Sequence, residues 1–526
     1  MTKGREESDD RKGPEGRGKA AVTQGESSGG GKAVTASKEG RQLELISETA
    51  DNPKGADDGR DRGRPQPRPR AVPKSESTKR RGLPAMTMEE VARKENLMEA
   101  FEKVASNDGA PGPDRQTIDE VREHLGTILP ALSHSLLEGT YQPGEIRRVW
   151  IPKVGGGERG LGIPNVIDRI VGQAVNQVLS PNYEPTFHGS SHGFRPERSC
   201  HTAIAQAKGY LEEGYEWVVD IDLEKFFDRV HHERLLARLE KLVKDRRLIV
   251  LIRRMLKAKV VMPEGVVVTT EEGTPQGGPL SPLLSNIVLD ELDWELQRRG
   301  HRFVRYADDG NIYVRSQRAG ERVMASVRSF IEKKLRLKVN EAKSAVARPE
   351  ERHFVGFRLR REPETGDVEV ELSERSKGRI NEVIRQKTGR SRGESLKTIL
   401  RDLNVYLTGW LAFFGIMTGE TAKRTLHNLD AHIRRRLRAL LLRQWKSKRS
   451  IVRRLIKLGI RRKTAWKTAY DGRRGTWDLS HRPAVDRALP PAYFAERGLT
   501  SLEQRWMERR TRVIAPVPIQ LTLELG

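Results

Sequence analysis

Apolar residues recur at helical spacing in some stretches of the chain and alternate with polar ones in others. Residues 1–83 do neither: they are rich in Gly, Ser, Pro and mixed charge, and the first aromatic is Phe101. Such a segment buries too little apolar surface to offset its ordering entropy, so disorder is expected. Its basic cluster RGRPQPRPR could brush RNA, although a solubilising tail is the simpler reading. Helical spacing begins near Thr87 in MTMEEVARKENLMEAFEKVASN, and NDGAPGPD packs turn formers into a loop. A helical stretch to Leu137, the strand RRVWIPK and the Gly-rich VGGGERGLGIP follow. From residue 216 the pattern alternates: WVVDIDL is a strand, a long helical run follows, and KVVMPEGVVVTT predicts a hairpin. LSPLLSNIVLDELDWELQRR is helical, RYADDGNIYVRS a hairpin, ERVMASVRSFIEKKLRL helical, and HFVGFRLRREPETGDVEVEL adds strands. Strand-helix-strand-strand-helix-strand is the order of a split βαβ sheet, an α+β layer. After residue 374 strands cease. Leu396, Leu400, Leu403, Leu407, Leu411 and Phe414 fall at helical spacing, and further on arginines flank Ile433, Leu437, Leu440 and Leu441. This predicts helix with a core stripe and a phosphate-facing stripe, a merely solvated basic face being the alternative.

Charge sharpens that picture. The 526 residues hold 97 Lys+Arg against 72 Asp+Glu, a formal net charge of +25. Such a balance favours a polyanionic partner, most simply nucleic acid, through phosphate neutralisation and counterion release. Cys200 is the only cysteine, which rules out an intramolecular disulfide or a cysteine-based zinc finger and fits a reducing, intracellular home. No apolar run reaches membrane-spanning length and no signal-peptide core is visible, so neither insertion nor export is expected.

Against this basic background two acidic spots stand out. In RYADDGNIYVRS the Asp309-Gly310 step is a turn signal between strands read at 301–307 and 311–314. Alone, it is either a solvated turn or a site for a hard divalent cation, which prefers carboxylate oxygens. Upstream, VVDIDLEKFFDRVHH puts Asp220 and Asp222 on one face of an otherwise apolar strand. A carboxylate at the end of a buried strand is costly unless paired or metal-bound. Two such strands side by side would bring Asp222 to Asp308 and Asp309, the cluster that two-metal phosphoryl transfer requires.

The blocks DxxxFFD, TPQGGPLSPLLSNIVLDELD, YADD, LKVNEAKSAV and HFVGF, in that order, resemble consecutive blocks of the reverse transcriptases encoded by bacterial group II introns. IPKVGGGERGLGIP and SSHGFRPERSC are similar to the preceding fingers blocks, and GTWDLSHRPAVDRALPPAYF also looks family-like. The resemblance implies a right-hand polymerase fold: a disordered tail (1–83), an N-terminal extension with fingers (84–215), a palm (216–372), a helical thumb or maturase domain (373–463) and a basic DNA-binding-like segment (464–526). Asp222, Asp308 and Asp309 match the family's metal-binding carboxylates, with two Mg²⁺ per site and Mn²⁺ as the substitute. Asp220 lies outside that triad. Phe227 matches the residue that excludes a 2′-hydroxyl, with a core aromatic as the rival reading. Gln276 matches the nucleotide pocket, Lys153 and Arg159 the triphosphate clamp, and Lys343 a residue near pyrophosphate or primer. Gly160 stands where the family commonly has Pro, which predicts a looser clamp loop. Arg434, Arg435, Arg436 and Arg438 are the expected RNA-binding stripe.

The implied activity is RNA-directed DNA synthesis joined to maturase function. The partners are group II intron RNA, a DNA target with its primer, and deoxynucleoside triphosphates, in a bacterial cytoplasm or nucleoid. The lack of paired cysteines points to the branch without an HNH endonuclease, which would draw its primer from replication forks or existing 3′ ends. A splicing cofactor with an idle polymerase, or a domesticated enzyme of repair or phage defence, remains open.

Overall fold

The computed structural model describes residues 82–514, apart from 153–157, 270, 275–276, 390–391 and 472–474. All but the last two residues of the expected disordered tail lie outside that range. The strands in chain order are β1 (Ile146–Pro152), β2 (Glu158–Ile163), β3 (Trp217–Ile221), β4 (Val260–Val261), β5 (Val267–Val268), β6 (Arg302–Tyr306), β7 (Asp309–Val314), β8 (Ala345–Ala347), β9 (Phe357–Arg361) and β10 (Val368–Leu372).

The central sheet has the order β6-β7-β3-β8, with every pairing antiparallel. That is the split βαβ arrangement, and the chain is α+β. The sheet divides two cores by simple alternation. Val219, Ile221, Phe303 and Ile312 face one buried cluster, which also holds the N-terminal helices Lys94–Ser106 and Val166–Tyr183. Val218, Val304 and Tyr313 face the other, which is built from the C-terminal helices. KVVMPEGVVVTT does form a hairpin, yet it joins a different sheet, β2-β1-β4-β5. The stretch ERGLGI, part of the Gly-rich segment, is strand β2 and pairs with β1 from Arg147 to Pro152.

The helices that matter below are α1 (Cys200–Glu212), α2 (Ser281–Arg298), α3 (Gln317–Phe330), α4 (Glu374–Lys387), α5 (Leu396–Phe414), α6 (Gly419–Gln444), α7 (Lys448–Lys457), α8 (Arg462–Ala469) and α9 (Leu502–Ile514). Ser373, Ser395 and Ser447 precede α4, α5 and α7 in extended conformation, and each hydroxyl accepts a backbone N–H of the first turn. On α5, Leu400, Leu403, Leu407, Leu411 and Phe414 are buried as the spacing predicts, while Leu396 is half-buried. Each fully buried leucine contributes about 1.5–3 kcal/mol of transfer free energy.

The described part of the C-terminal segment is no separate tail. Leu479, Val485, Phe494, Leu502 and Trp506 share the buried cluster of Leu403, Leu407 and Leu437. Asp430, buried on α6, accepts from Ser501 Oγ at 2.7 Å and from the backbone N–H groups of Leu502 and Glu503 at 3.0 and 3.2 Å. A carboxylate there satisfies orphan donors and the positive end of α9.

Candidate active site

The acidic hairpin turns two residues earlier than the Asp-Gly signal suggests. Tyr306 pairs with Asp309, so Ala307 and Asp308 make the turn, while Asp309 and Gly310 open β7. Ala307 is left-handed, with φ 58°, a conformation that costs an L residue about 1–2 kcal/mol. Its surroundings impose it. Gly193 lies so close that a Cβ there would sit 2.3 Å from the Ala307 nitrogen. The Ala307 carbonyl accepts from Arg305 Nη1 at 2.7 Å. The SSHGF stretch, matched to a fingers block, thus lies along the turn: the Ser190 carbonyl accepts from Arg305 N, and His192 N donates back to the Arg305 carbonyl. Phe194, next to Gly193, is also left-handed and exposed.

Arg305 is the organising side chain that the sequence reading missed. It is 3% exposed and its partner Asp293, on α2, is 0% exposed. Nε and Nη2 grip Asp293 at 2.8 and 2.6 Å; Nη1 also donates to Asn286 Oδ1 and Nη2 to Ser191 Oγ. All five donors are used, as a buried guanidinium requires. An arginine between apolar positions just before YADD was the available signal, but its partners are not readable from spacing.

The acids come together across β3 and β7. Asp220 lies opposite Asn311 and Ile221 opposite Gly310, so Asp222, just past β3, and Asp309 flank that pair. Burial pushes the Asp309 carboxyl well above its ordinary range, and the charges of Asp220, Asp308 and Asp222 push it further. Asp308 is likewise raised, by burial and then by Asp222, while Arg159 and Arg305 pull it down. Asp220 differs in having a dedicated partner: Arg352 donates to its Oδ2 from Nε at 2.7 Å and from Nη2 at 2.5 Å. Lys343 Nζ stands 3.4 Å from Asp222 Oδ2. Its loop is tied to the strand end, with Asp222 N donating to Ser344 Oγ at 3.0 Å and Asn340 N to the Asp222 carbonyl at 2.8 Å.

Among the described residues no three His, Cys, Asp or Glu side chains already converge as a metal cage. The donor set nevertheless fits a hard cation. Asp222, Asp308 and Asp309 offer only carboxylate oxygens, and the charge of Asp222 raises the proton affinity of Asp308 and Asp309, a repulsion that a divalent cation would relieve.

Of the remaining expected residues, Lys153 and Gln276 lie outside the described residues. Arg159 is exposed on β2 and close enough to Asp308 to act on its carboxyl. Gly160 is in strand rather than loop, opposite Trp150, and a Cβ there would meet Arg148 and Trp150 at 2.7–3.1 Å. Packing, not looseness, accounts for that glycine. Phe227 is half-buried against the first core, edge-on to Phe226 at 5.2 Å, and its carbonyl accepts from Thr274 N at 2.6 Å.

The four arginines expected as a stripe on α6 differ in what they meet. Arg438 is buried, paired with Asp486, and donates from Nε to the Leu489 carbonyl at 3.0 Å. Arg436 donates to Thr388 Oγ1 at 2.7 Å and to the Arg385 carbonyl at 3.1 Å, at the C-terminal end of α4. Arg435 lies over the Trp477 ring at 4.0 Å. Arg434 is half-buried. Helical spacing located these arginines; the segment from 476 to 495 meets Arg438 and Arg435, and of the four only Arg438 is buried.

With that geometry in place, the similarities to known proteins are direct. Residues 151–359 match the family described as reverse transcriptase (RNA-dependent DNA polymerase), and residues 377–458 match the group II intron, maturase-specific domain. Protein YkfC of Escherichia coli K12 is 34% identical, over 53% of this chain and 84% of its own. The group II intron-encoded protein LtrA of Lactococcus lactis is 40% identical over 37% of this chain and 32% of its own, so the match spans about a third of LtrA. A telomerase from Candida albicans superposes with a TM-score of 0.35 at 13% identity, over 64% of this chain and 66% of that one, too slight a likeness to argue from. No helix among the described residues is long and apolar enough to cross a membrane.

Proposed function

The chain belongs to the group II intron reverse transcriptase and maturase family, an RNA-directed DNA polymerase joined to a maturase region, and from that premise we propose that Asp222, Asp308 and Asp309 are its catalytic carboxylates. The observation that carries this is the contrast with Asp220. Asp220 is matched by Arg352, whereas Asp308 and Asp309 are half-buried beside other acids, with no ion pair to a cation among the described residues. The three would hold two Mg²⁺ ions, or Mn²⁺ in their place. When bound, such ions activate a primer 3′-hydroxyl and neutralise charge on the leaving pyrophosphate.

The chain's own residues supply orientation and charge. Arg305 and Gly193 hold the Ala307–Asp308 turn in one geometry, so the two aspartates point consistently. Lys343, beside Asp222, offers a point charge to pyrophosphate or primer, and Arg159 offers a forked donor to the triphosphate. Lys153 and Gln276 complete the proposed nucleotide pocket by family resemblance. Phe227 is proposed as the residue beside C2′ of the incoming sugar. Phe227→Ala admits ribonucleotides on this reading; continued rejection would make Phe227 a packing residue. The template and maturase substrate is proposed to be the chain's own intron RNA, with a DNA target and primer.

Primer extension on an RNA template with Mg²⁺ tests the assignment. Asp308→Ala reduces extension about a thousandfold or more, because an ion ligand worth several kcal/mol of transition-state stabilisation is lost. Unchanged extension by a folded Asp308→Ala protein refutes it.

A further inference from the structure

We propose that Trp466 and Tyr470 form a stacking platform for unpaired RNA, set in the field of cations on α7 and α8. This deepens the reading of the chain as an intron-RNA binder and rests on it. Between Trp445 and Tyr470 the chain has ten Lys and Arg and no Asp or Glu. All ten are exposed, and none is within ion-pair distance of a carboxylate among the described residues. The next acid, Asp471, is engaged by Arg482. Elsewhere arginines are routinely matched: Arg358 and Arg360, for instance, share Glu371. A ten-cation surface with no internal acid is built for phosphates from outside.

Two aromatic rings stand in the middle of it. Helices α7 and α8 pack through Ile451, Val452, Leu455, Ala465 and Ala469, which leaves Trp466 and Tyr470 on the outer face. They are 40% and 43% exposed, although Trp410, Trp445 and Trp506 in the same half of the molecule are buried. The two rings stack on each other, with centroids 5.0 Å apart and planes 22° from parallel, and Lys448 Nζ lies 5.2 Å from the Tyr470 ring. Lys463 and Lys467 share their helix face at i, i+3, i+4 and i+7 spacing. Exposed rings interleaved with cations at this spacing offer π-faces to bases and charges to the backbone at once.

Only unpaired bases present a free face to such rings. In a duplex the faces are already stacked, and the A-form major groove is too deep and narrow for side chains to enter. The occupant is therefore a single-stranded stretch, a loop or a junction, and recognition is by stacking and charge with little dependence on sequence.

The test uses the full chain and a short, unstructured, end-labelled RNA, with binding measured over a salt series. Trp466→Ala weakens binding about tenfold and leaves the salt slope unchanged, because a stacking contact releases no counterion. Trp466→Phe, which keeps a ring on an exposed helix face, restores most of the loss. Lys463→Gln and Lys467→Gln each lower the slope by about one. Fully paired RNA of the same length shows no dependence on residue 466. Wild-type affinity in Trp466→Ala overturns the proposal, as does an equal loss for paired RNA. A loss confined to single-stranded DNA also overturns it and assigns the surface to DNA. RNA-templated extension by the wild-type chain, run in parallel, separates the two claims: if extension is absent while the Trp466 dependence holds, the polymerase reading falls and the platform stands.

Discussion

Asp220 and Asp309 lie on neighbouring strands of one sheet, both carboxylates, the first buried and the second half-buried, and the protein treats them differently. Asp220 is gripped by Arg352, while Asp309 meets mainly other acids. The C-terminal helices repeat the contrast with opposite charge. Arg438 is buried against Asp486 and the Leu489 carbonyl, whereas Arg453, on the next helix, is exposed with no ion pair to a carboxylate among the described residues. A charge compensated within the fold is holding the fold together. A charge left uncompensated, at a cost, is available for something that arrives from outside.

The sharpest way to break this comparison is to remove a compensated charge. Arg305→Ala leaves Asp293 buried and unpaired, and the loss is about 3–5 kcal/mol. The double substitution Arg305→Met with Asp293→Leu recovers most of that stability in a chemical melt. Its extension rate stays low, because nothing then holds the Ala307 carbonyl. Full activity in the stable double variant would show that the turn needs no such anchor.

Arg438→Ala removes a strut between α6 and the segment that follows it, at about 1–3 kcal/mol. The C-terminal helices then exchange amide hydrogens faster, while the salt slope of RNA binding is unchanged. A flattened slope with normal exchange would return Arg438 to the RNA face.

Asp309→Asn acts in the opposite direction on stability. A carboxyl whose folded pKa is raised binds its proton more tightly in the native state than in the unfolded one. Its contribution therefore weakens as pH rises from about 4, the unfolded value, through the raised folded value. Without divalent cations, Asp309→Asn should be more stable than wild type at pH 8 and show little difference near pH 4. Added Mg²⁺ should narrow the gap at pH 8. A variant less stable than wild type at pH 8 would mean that the carboxylate is satisfied internally after all.

Arg453→Gln is the smallest effect: no change in melting, and a salt slope lower by about one. A stability loss there would mean that the cation has a hidden structural partner.

Much of this was legible in the chain. The order of strands and helices, the leucine stripe of α5 and the meeting of Asp222 with the YADD acids all follow from periodicity and spacing, because alternation and helical repeats are local. The turn at Ala307–Asp308 was not, because a left-handed alanine is imposed by Gly193 and Arg305 from outside the hairpin, against the local Asp-Gly preference. Arg438 was hidden for the same reason. Its spacing is that of a solvent-facing stripe, and only the return of Asp486 and Leu489 across the helix buries it. Spacing places a charge on a face, whereas its compensation depends on residues far away in sequence, as Asp293 is for Arg305 and Asp486 for Arg438.

The central claim is that the turn acids, which meet no cation in an ion pair among the described residues, carry the chemistry, whereas the arginine-matched Asp220 does not. Extension of a primed RNA template in Mg²⁺ by wild type, Asp309→Asn and Asp220→Asn, compared side by side as folded proteins, measures it. The account predicts that Asp309→Asn loses about a thousandfold or more while Asp220→Asn, though less stable, stays within about tenfold of wild type. Comparable losses in both variants, or an active Asp309→Asn, would contradict it.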